Sequence, residues 1–223
     1  MAPTIRFYFD PISPNAYLAW TQLPSLADKH GFAIEPVPVL FAGLLEAYGQ
    51  LGPAEVQPKI RWMWKNNLRK AALLRVPLNP PAFHPFNPLL ALRVSSLPLA
   101  PVPRRALIGV LLEAVWVRGL HVSEPAVVAR LGDEIGLDGA ALVAQAGEAD
   151  NKARLRAQTD DAISRGVFGV PTMEVGGELF WGFDDLPYLE PLLAGRDLLD
   201  AAEWRKWEAG PRPSATRDRS RQA

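Results

Sequence analysis

Alternating apolar and polar positions near the start of the chain predict a β-strand over Ile5–Phe9. Asp10 and Pro11 end the alternation, and a helix start signal follows at once. Ser13 suits the N-cap, and Pro14 suits the first helical position. Apolar residues at helical spacing then continue for about three turns. The pattern therefore predicts a strand that leads directly into a serine-capped helix.

This junction is a candidate site for chemistry. A serine at a helix N-cap brings a hydroxyl group and free backbone N–H groups to one point, which favours an anion such as a thiolate. The alternative is that Ser13 only caps the helix, since serine is common at N-caps. The residues of this stretch leave both interpretations open.

The first helix is expected to end near Gly31, which suits a left-handed C-terminal cap. Phe32–Val39 then alternates well enough for a second strand, and its two prolines favour an edge strand or a strand end. A strand, a helix and a strand within so few residues predict a βαβ unit with parallel pairing and a right-handed crossover.

Helical spacing replaces the strand pattern over residues 41–165. We predict several helices in succession, interrupted by an irregular proline-rich connection over 76–88. The segments are 41–48, 54–75, a helix from Leu89, 104–118, a helix from Ser123, a helix capped by Asp138, and 148–165. No fixed period indicates repeats, so the pattern favours one helical region.

The helix predicted over 54–75 is rich in positive charge. Its expected buried face comprises Ile60, Met63, Trp64, Leu68, Ala71 and Ala72. The cations are Lys59, Arg61, Lys65, Arg69 and Lys70. Charge of this density is typical of a solvated helix face, which is the interpretation that the spacing favours.

The strand pattern returns near the end of the chain. Thr172–Val175 and Glu178–Trp181 flank a Gly176–Gly177 turn and predict an antiparallel hairpin. A helix is expected from Asp184, and the pattern over residues 197–208 predicts one more helix. Residues 210–223 contain no large apolar side chain and predict a disordered tail.

Composition narrows the classes of function. The formal net charge is zero, with 24 basic and 24 acidic residues, so nothing points to nucleic acid as a partner. No apolar run reaches the roughly 18 residues that span a bilayer, and the early strand leaves no room for a signal peptide, so a cytoplasmic location is expected. Cysteine is absent, which excludes disulfides and a thiolate nucleophile in this chain. The three histidines show no ligand spacing, so no metal site is expected.

A βαβ unit followed by ββα, with Val170–Pro171 leading into the hairpin, resembles the thioredoxin fold. The expected architecture is an α/β thioredoxin-like domain formed by residues 1–40 and 166–209, with an inserted α-helical domain over 41–165. This insertion is similar to that of the disulfide oxidoreductases, whose Cys-x-x-Cys pair would occupy 13–16. Both cysteines are missing here, which excludes their dithiol chemistry.

The surrounding residues are closer to another family. Several stretches in order resemble 2-hydroxychromene-2-carboxylate isomerases and the related kappa-class glutathione transferases. They are FYFDPISPNAY around Ser13, Lys59 with Arg69, Phe86–Asn87 with Arg93, GVFGVPT at 166–172, and ELFWG with Asp184. The chain departs from the usual family residues at Gln50 (Asn), Trp62 (Tyr), Asn66 (Asp) and Asp185 (Arg).

The resemblance implies a role for each matching residue. Ser13 would donate a hydrogen bond to the sulfur of glutathione, the implied cofactor, which would lie extended along Val170 and Pro171. Other implied glutathione contacts are Phe183, Asp184, Lys59 and Gln50. Asp184 would hold the γ-glutamyl ammonium, and Lys59 would attract a carboxylate. Asn87 and Trp62 would contact the substrate, although Asn87 could equally hold its own loop together.

The implied function is glutathione-dependent cis–trans isomerisation of an aromatic acid, in which the thiolate adds reversibly and glutathione is regenerated. Two alternatives stay open: transfer of glutathione to an electrophile, and a binding protein that kept the fold without catalysis. The resemblance also implies a homodimer.

Overall fold

The computed structural model describes residues 2–210. Its four-stranded sheet has the order β2-β1-β3-β4, with strands β1 (Thr4–Phe9), β2 (Ala33–Pro38), β3 (Thr172–Val175) and β4 (Glu178–Trp181). β1 pairs in parallel with β2, and β3 pairs antiparallel with both β1 and β4. The proline-containing β2 lies at the edge. The predicted βαβ and ββα units, and with them the thioredoxin-like fold, are confirmed.

Ten α-helices lie within residues 2–210. They are α1 (Pro14–His30), α2 (Phe41–Tyr48), α3 (Gln57–Leu74), α4 (Leu89–Ser95), α5 (Pro101–Trp116), α6 (Pro125–Glu134), α7 (Gly139–Ala146), α8 (Ala149–Ser164), α9 (Leu186–Leu193) and α10 (Ala201–Ala209). Short 3₁₀ turns at Pro53–Glu55 and Phe183–Asp185 precede α3 and α9. No described helix is long and apolar enough to cross a membrane. The predicted tail lies outside the described residues, apart from Gly210.

The caps of α1 follow the sequence pattern. Ser13 is the N-cap, with its hydroxyl accepting the N–H of Ala16, and Gly31 is the C-cap in the left-handed conformation, with φ of 74°. The side chain of Asp138 caps α7 by accepting the N–H of Ala141, as expected.

Both faces of the sheet are covered. Phe7 of β1 packs with α1 and α5 in a large cluster that includes Leu111 and Trp116. Tyr8 points to the opposite face and is fully buried in a second cluster with Val37. β1 is therefore buried on both faces at this point. The division into two domains stays a prediction, while the large cluster runs continuously from the strands into the middle helices.

Helix α3 departs most from its predicted pattern. Leu68 and Ala72 are exposed, whereas Asn67 and Lys70 are buried on the face that contains Met63. The interpretation of all its cations as a solvated face is wrong for Lys70, which is 8% exposed. The reason is tertiary, because Lys70 finds polar partners on two other elements.

Candidate active site

A cavity of about 430 Å³ opens where the loop before α1 faces α2, α3 and the proline-rich segment. The inner wall, at the sheet end, is lined by residues 10, 12–15 and 169–170, and by His84, which contacts the loop before α1. The outer wall is lined by residues 40–42, 45, 50–55, 59, 63, 85, 86 and 88, and the rings of Phe168 and Trp181 complete the lining. The cavity therefore lies between the strand-containing part of the chain and the helices of the middle region.

Ser13 lies at the sheet end of this cavity. Its Oγ accepts the N–H of Ala16 at 3.2 Å and donates to the carbonyl oxygen of Val170 at 3.3 Å. Pro14 has no N–H, and within residues 2–210 the N–H of Asn15 has no hydrogen-bond partner. The helix N-terminus therefore presents a hydroxyl and a free N–H beside the cavity, a combination suited to an anion.

Val170 faces Ser13 from the other side. The Val170–Pro171 peptide bond is cis. The N–H of Val170 has no partner in the described part of the chain, and its carbonyl has only the long contact with Ser13. Both backbone groups can pair with an extended peptide-like ligand.

Buried polar side chains fix the loop between β1 and α1. The indole Nε1 of Trp116 donates to the carbonyl of Pro11 at 2.9 Å. His84 Nε2 lies 3.1 Å from the carbonyl of Ile12. Because a carbonyl can only accept, this ring nitrogen carries the proton. The carbonyls of Pro11 and Ile12 are thus each held by a side chain from the inserted region.

Asp10 fixes the same loop from below. Its carboxyl is fully buried, and it accepts the N–H of Ile12 at 2.9 Å and the N–H of Phe41 at 3.0 Å. One side chain therefore ties the Ser13 loop to the start of α2. Burial raises the pKa of Asp10 from 3.8 to about 7, and the two backbone N–H groups oppose this rise only in part.

His84 is the second titratable group of the inner wall. Burial lowers its pKa, so the imidazole is neutral near physiological pH. Its Nδ1 is buried and has no hydrogen-bond partner among the described residues. The ring packs edge-on against Trp64, with the centroids 5.1 Å apart. His84 is therefore held by packing against Trp64, and its Nε2 stabilises the loop between β1 and α1.

The outer wall is more open. Gln50, Leu51 and Lys59 are exposed at the cavity edge. Gly52 is held there by Glu55, whose Oε1 accepts its N–H at 2.6 Å. Lys59 supplies a cation and Gln50 an amide to this wall, and the carboxylate of Glu55 is occupied by the N–H of Gly52, so Lys59 can attract a carboxylate-bearing ligand.

A buried ammonium lies next to the sheet end. Lys70 Nζ donates to Asn15 Oδ1 at 3.0 Å and to Asp184 Oδ2 at 2.7 Å, and it lies 5.2 Å from the ring centroid of Phe183. Asn15 lines the cavity. The carboxylate of Asp184 is therefore positioned by Lys70 and does not act as a helix cap, while 69% of its side chain remains exposed.

The cavity contains four of the nine predicted site residues, namely Ser13, Lys59, Gln50 and Val170. Pro171, Phe183 and Asp184 lie behind or beside its sheet end. Asn87 and Trp62 do not line it. The Oδ1 of Asn87 accepts the N–H of Leu89 at 3.0 Å, which is the loop-holding role considered above. Trp62 is 60% exposed on α3.

Two aromatic rings flank the mouth of the cavity. Phe168 and Trp181 have ring centroids 5.1 Å apart. The indole lies so close to Gly169 that a Cβ there would come within 2.5 Å of Trp181 Nε1. Gly169 is therefore required by this packing. Asp185, at the family's usual arginine position, accepts the N–H of Trp181 at 2.8 Å and so holds the same strand end.

Comparison with known proteins identifies the family of this chain. Residues 4–194 match the family model of the DSBA-like thioredoxin domain. A 2-hydroxychromene-2-carboxylate isomerase of Sphingobium xenophagum is 34% identical over 197 residues, which cover 86% of this chain and 99% of the relative. The chain belongs to the 2-hydroxychromene-2-carboxylate isomerase family.

Further members and neighbours support this assignment. The structure of a 2-hydroxychromene-2-carboxylate isomerase aligns with a TM-score of 0.81 and 28% identity, covering 93% of this chain and all of the other. Glutathione S-transferase kappa 2 of Caenorhabditis elegans is 28% identical over 212 residues, covering 85% of this chain and 91% of the relative. The predicted resemblance to both groups is confirmed, and the chain is an enzyme of the isomerase type.

Sequence reasoning missed three residues that shape the site of this family member. Asp10 directly follows the apolar strand β1, but an Asp side chain is rarely fully buried, so its position alone did not mark it. His84 and Trp116 carried no signal, since their contacts with the Ser13 loop span 72 and 105 residues. Among residues 2–210, no group of three His, Cys, Asp or Glu side chains could hold a metal ion.

Proposed function

We propose that this protein binds glutathione as a thiolate at Ser13 and isomerises a 2-hydroxychromene-2-carboxylate-type aromatic acid. The observation that carries the proposal is the arrangement of Ser13 and the free N–H of Asn15 opposite the unpaired backbone N–H of Val170, in one cavity with Lys59. The names of the relatives supply the substrate class and the cofactor.

The residues present fit glutathione. Val170 offers a backbone donor and acceptor to the cysteinyl part, and the exposed carboxylate of Asp184 suits the γ-glutamyl ammonium. Ser13 and the N-terminus of α1 lower the energy of the charged sulfur, which matters because only a few per cent of a free thiol is ionised near neutral pH.

When bound, glutathione supplies a thiolate that adds reversibly to the conjugated carbon, so that the former double bond can rotate before the thiol leaves. The protein's own part is electrostatic. Lys59 attracts the substrate carboxylate, and the Ser13 hydroxyl turns from the carbonyl of Val170 towards the sulfur. The apolar side chains of the cavity exclude water from the reacting carbon.

Titration with glutathione tests the proposal, with the ultraviolet absorbance of the thiolate followed as pH is varied. We expect binding and a thiol pKa clearly below that of free glutathione. Absence of binding at millimolar glutathione would overturn the proposal and favour a binding protein without this chemistry.

The relation to a kappa-class transferase supports one competing function, in which glutathione stays attached to the product. Incubation with isotopically labelled glutathione and a 2-hydroxychromene-2-carboxylate separates the two. We expect the isomerised acid and free labelled glutathione. Stoichiometric conjugate would establish the transferase instead.

A homodimer in the cytoplasm is also part of the proposal, and sedimentation of the purified protein tests its oligomeric state.

A further inference from the structure

We propose that Asp10 accepts the proton that the glutathione thiol loses when it binds at Ser13. This inference rests on the proposed glutathione site and assigns a role to a residue in the wall of that site. In the step, the S–H bond breaks, its electron pair stays on sulfur, and an O–H bond forms on the carboxylate of Asp10.

The position of Asp10 supports this role. It lines the same cavity as Ser13, three residues away along a loop whose conformation is fixed. The N–H of Ser13 donates to the backbone carbonyl of Asp10 at 3.0 Å, which holds the two residues in one turn. The carboxyl is fully covered, so a proton placed there is separated from bulk water.

Among residues 2–210, no cationic side chain pairs with the carboxylate of Asp10. Its two partners are the backbone N–H groups of Ile12 and Phe41. A buried carboxylate held only by neutral donors has a high affinity for a proton, and its pKa is about 7. A thiolate arriving nearby adds a second negative charge, which raises that affinity further.

Other titratable groups on the cavity are poorer acceptors. His84, from the proline-rich segment, is buried with a lowered pKa, and its Nε2 already carries the proton donated to Ile12. Glu55, from the turn before α3, is exposed at the rim and accepts the N–H of Gly52. Lys59, from α3, is a basic side chain exposed on the outer wall, where it is proposed to attract the substrate carboxylate.

The number of protons released to the buffer when glutathione binds shows whether Asp10 takes the thiol proton. Calorimetry in buffers of different ionisation enthalpy measures this number. At about pH 7.5, a thiol of pKa about 8.5 is about nine-tenths protonated, so its conversion to thiolate frees about 0.9 proton. At that pH, a carboxyl with a pKa of about 7 has room for about 0.75 proton.

We therefore expect the wild-type protein to release only about 0.2 proton per glutathione bound, and the Asp10→Asn variant about 0.9. Glu55→Gln, which removes a carboxylate at the rim, should release as little as the wild type. S-methylglutathione, which has no thiol proton, should release almost none from any of the proteins.

The outcomes separate the two proposals. Equal release from wild type and Asp10→Asn, both near 0.9, overturns the role of Asp10 and leaves the thiolate site intact. Low release from Asp10→Asn with glutathione still bound means that the thiol stays protonated, which overturns both. No binding to the wild type overturns the proposed function, and this inference with it.

Discussion

The two walls of the cavity are built differently. At the inner wall and directly behind it, the buried Asp10 and Trp116 and the half-buried His84 each hydrogen-bond a backbone group of the Ser13 loop. On the outer wall, Gln50 and Lys59 are exposed and have few fixed contacts. In the proposed function, the more rigid surface would face the sulfur of glutathione and the more adaptable surface would face the substrate. The difference teaches that the loop around Ser13 is fixed by buried hydrogen bonds, while the opposite wall is left to side chains that can vary.

The largest effect that we predict comes from the inner wall. Between about pH 4 and 7 the folded protein keeps a proton on Asp10 that the unfolded chain has lost, because burial raises the pKa of this carboxyl from 3.8 to about 7. Stability contributed by Asp10 is therefore present below pH 3.8 and is lost as the pH rises to about 7. Asparagine cannot ionise and avoids this loss.

Asp10→Asn should consequently gain stability relative to wild type as the pH rises, by up to about 4 kcal/mol at pH 8 compared with pH 4. Urea unfolding of both proteins across this range measures the difference. A difference that does not change with pH would show that Asp10 does not titrate near neutrality.

Ser13→Ala removes the hydroxyl that is proposed to donate to the thiolate. We expect turnover to fall by about 10- to 100-fold, since one lost donor to an anion in a protected site has at least this effect. The N-cap is lost as well, so steady-state kinetics should be compared with the unfolding free energy. Turnover unchanged in a folded variant would leave Ser13 as a helix cap only.

Asn67→Leu probes the helix that supplies Lys59. The amide of Asn67 is fully buried on α3, and neither of its polar atoms has a hydrogen-bond partner in the described structure. Leucine has a similar size and no unsatisfied groups, so we expect stabilisation by about 1–2 kcal/mol. Thermal unfolding measures it, and a destabilised variant would mean that the amide has a partner in solution.

The smallest effect is expected on the outer wall. Lys59→Gln should raise the KM for the aromatic acid about fivefold and change kcat little, because an exposed charge contributes less than about 1 kcal/mol. Added salt should reduce the difference between the two proteins. Trp62→Ala, on the same helix but outside the cavity, is the matched control. An equal rise in KM for both variants would argue against a carboxylate contact.

The sequence predicts features that depend on neighbouring residues, but it does not predict contacts between residues that are far apart in the chain. β1, the N-cap at Ser13 and the Gly176–Gly177 hairpin depend on local spacing, and each was found within a residue or two. The burial of Lys70 could not be found in this way. Its ammonium meets Asn15 and Asp184, which lie 55 and 114 residues away in sequence, and no pattern within α3 encodes such partners.

The outer wall contains the site predictions that depended on resemblance alone. Gln50 and Lys59 reach the cavity, but Trp62 and Asn87 do not line it. A shift of one helical turn, or one hydrogen bond within a loop, decides whether a side chain points into the cavity. The direction of a side chain therefore depends on contacts with residues far away in the sequence, which a local pattern does not contain.

The close packing of Trp181 on Gly169 has a consequence for engineering. The mouth cannot be narrowed at Gly169, where any side chain would collide with the indole. It can be widened at Trp181, which is half exposed and lies at the end of β4. Substrate size should thus be adjustable in one direction, through one residue, without disturbing the loop that holds the sulfur.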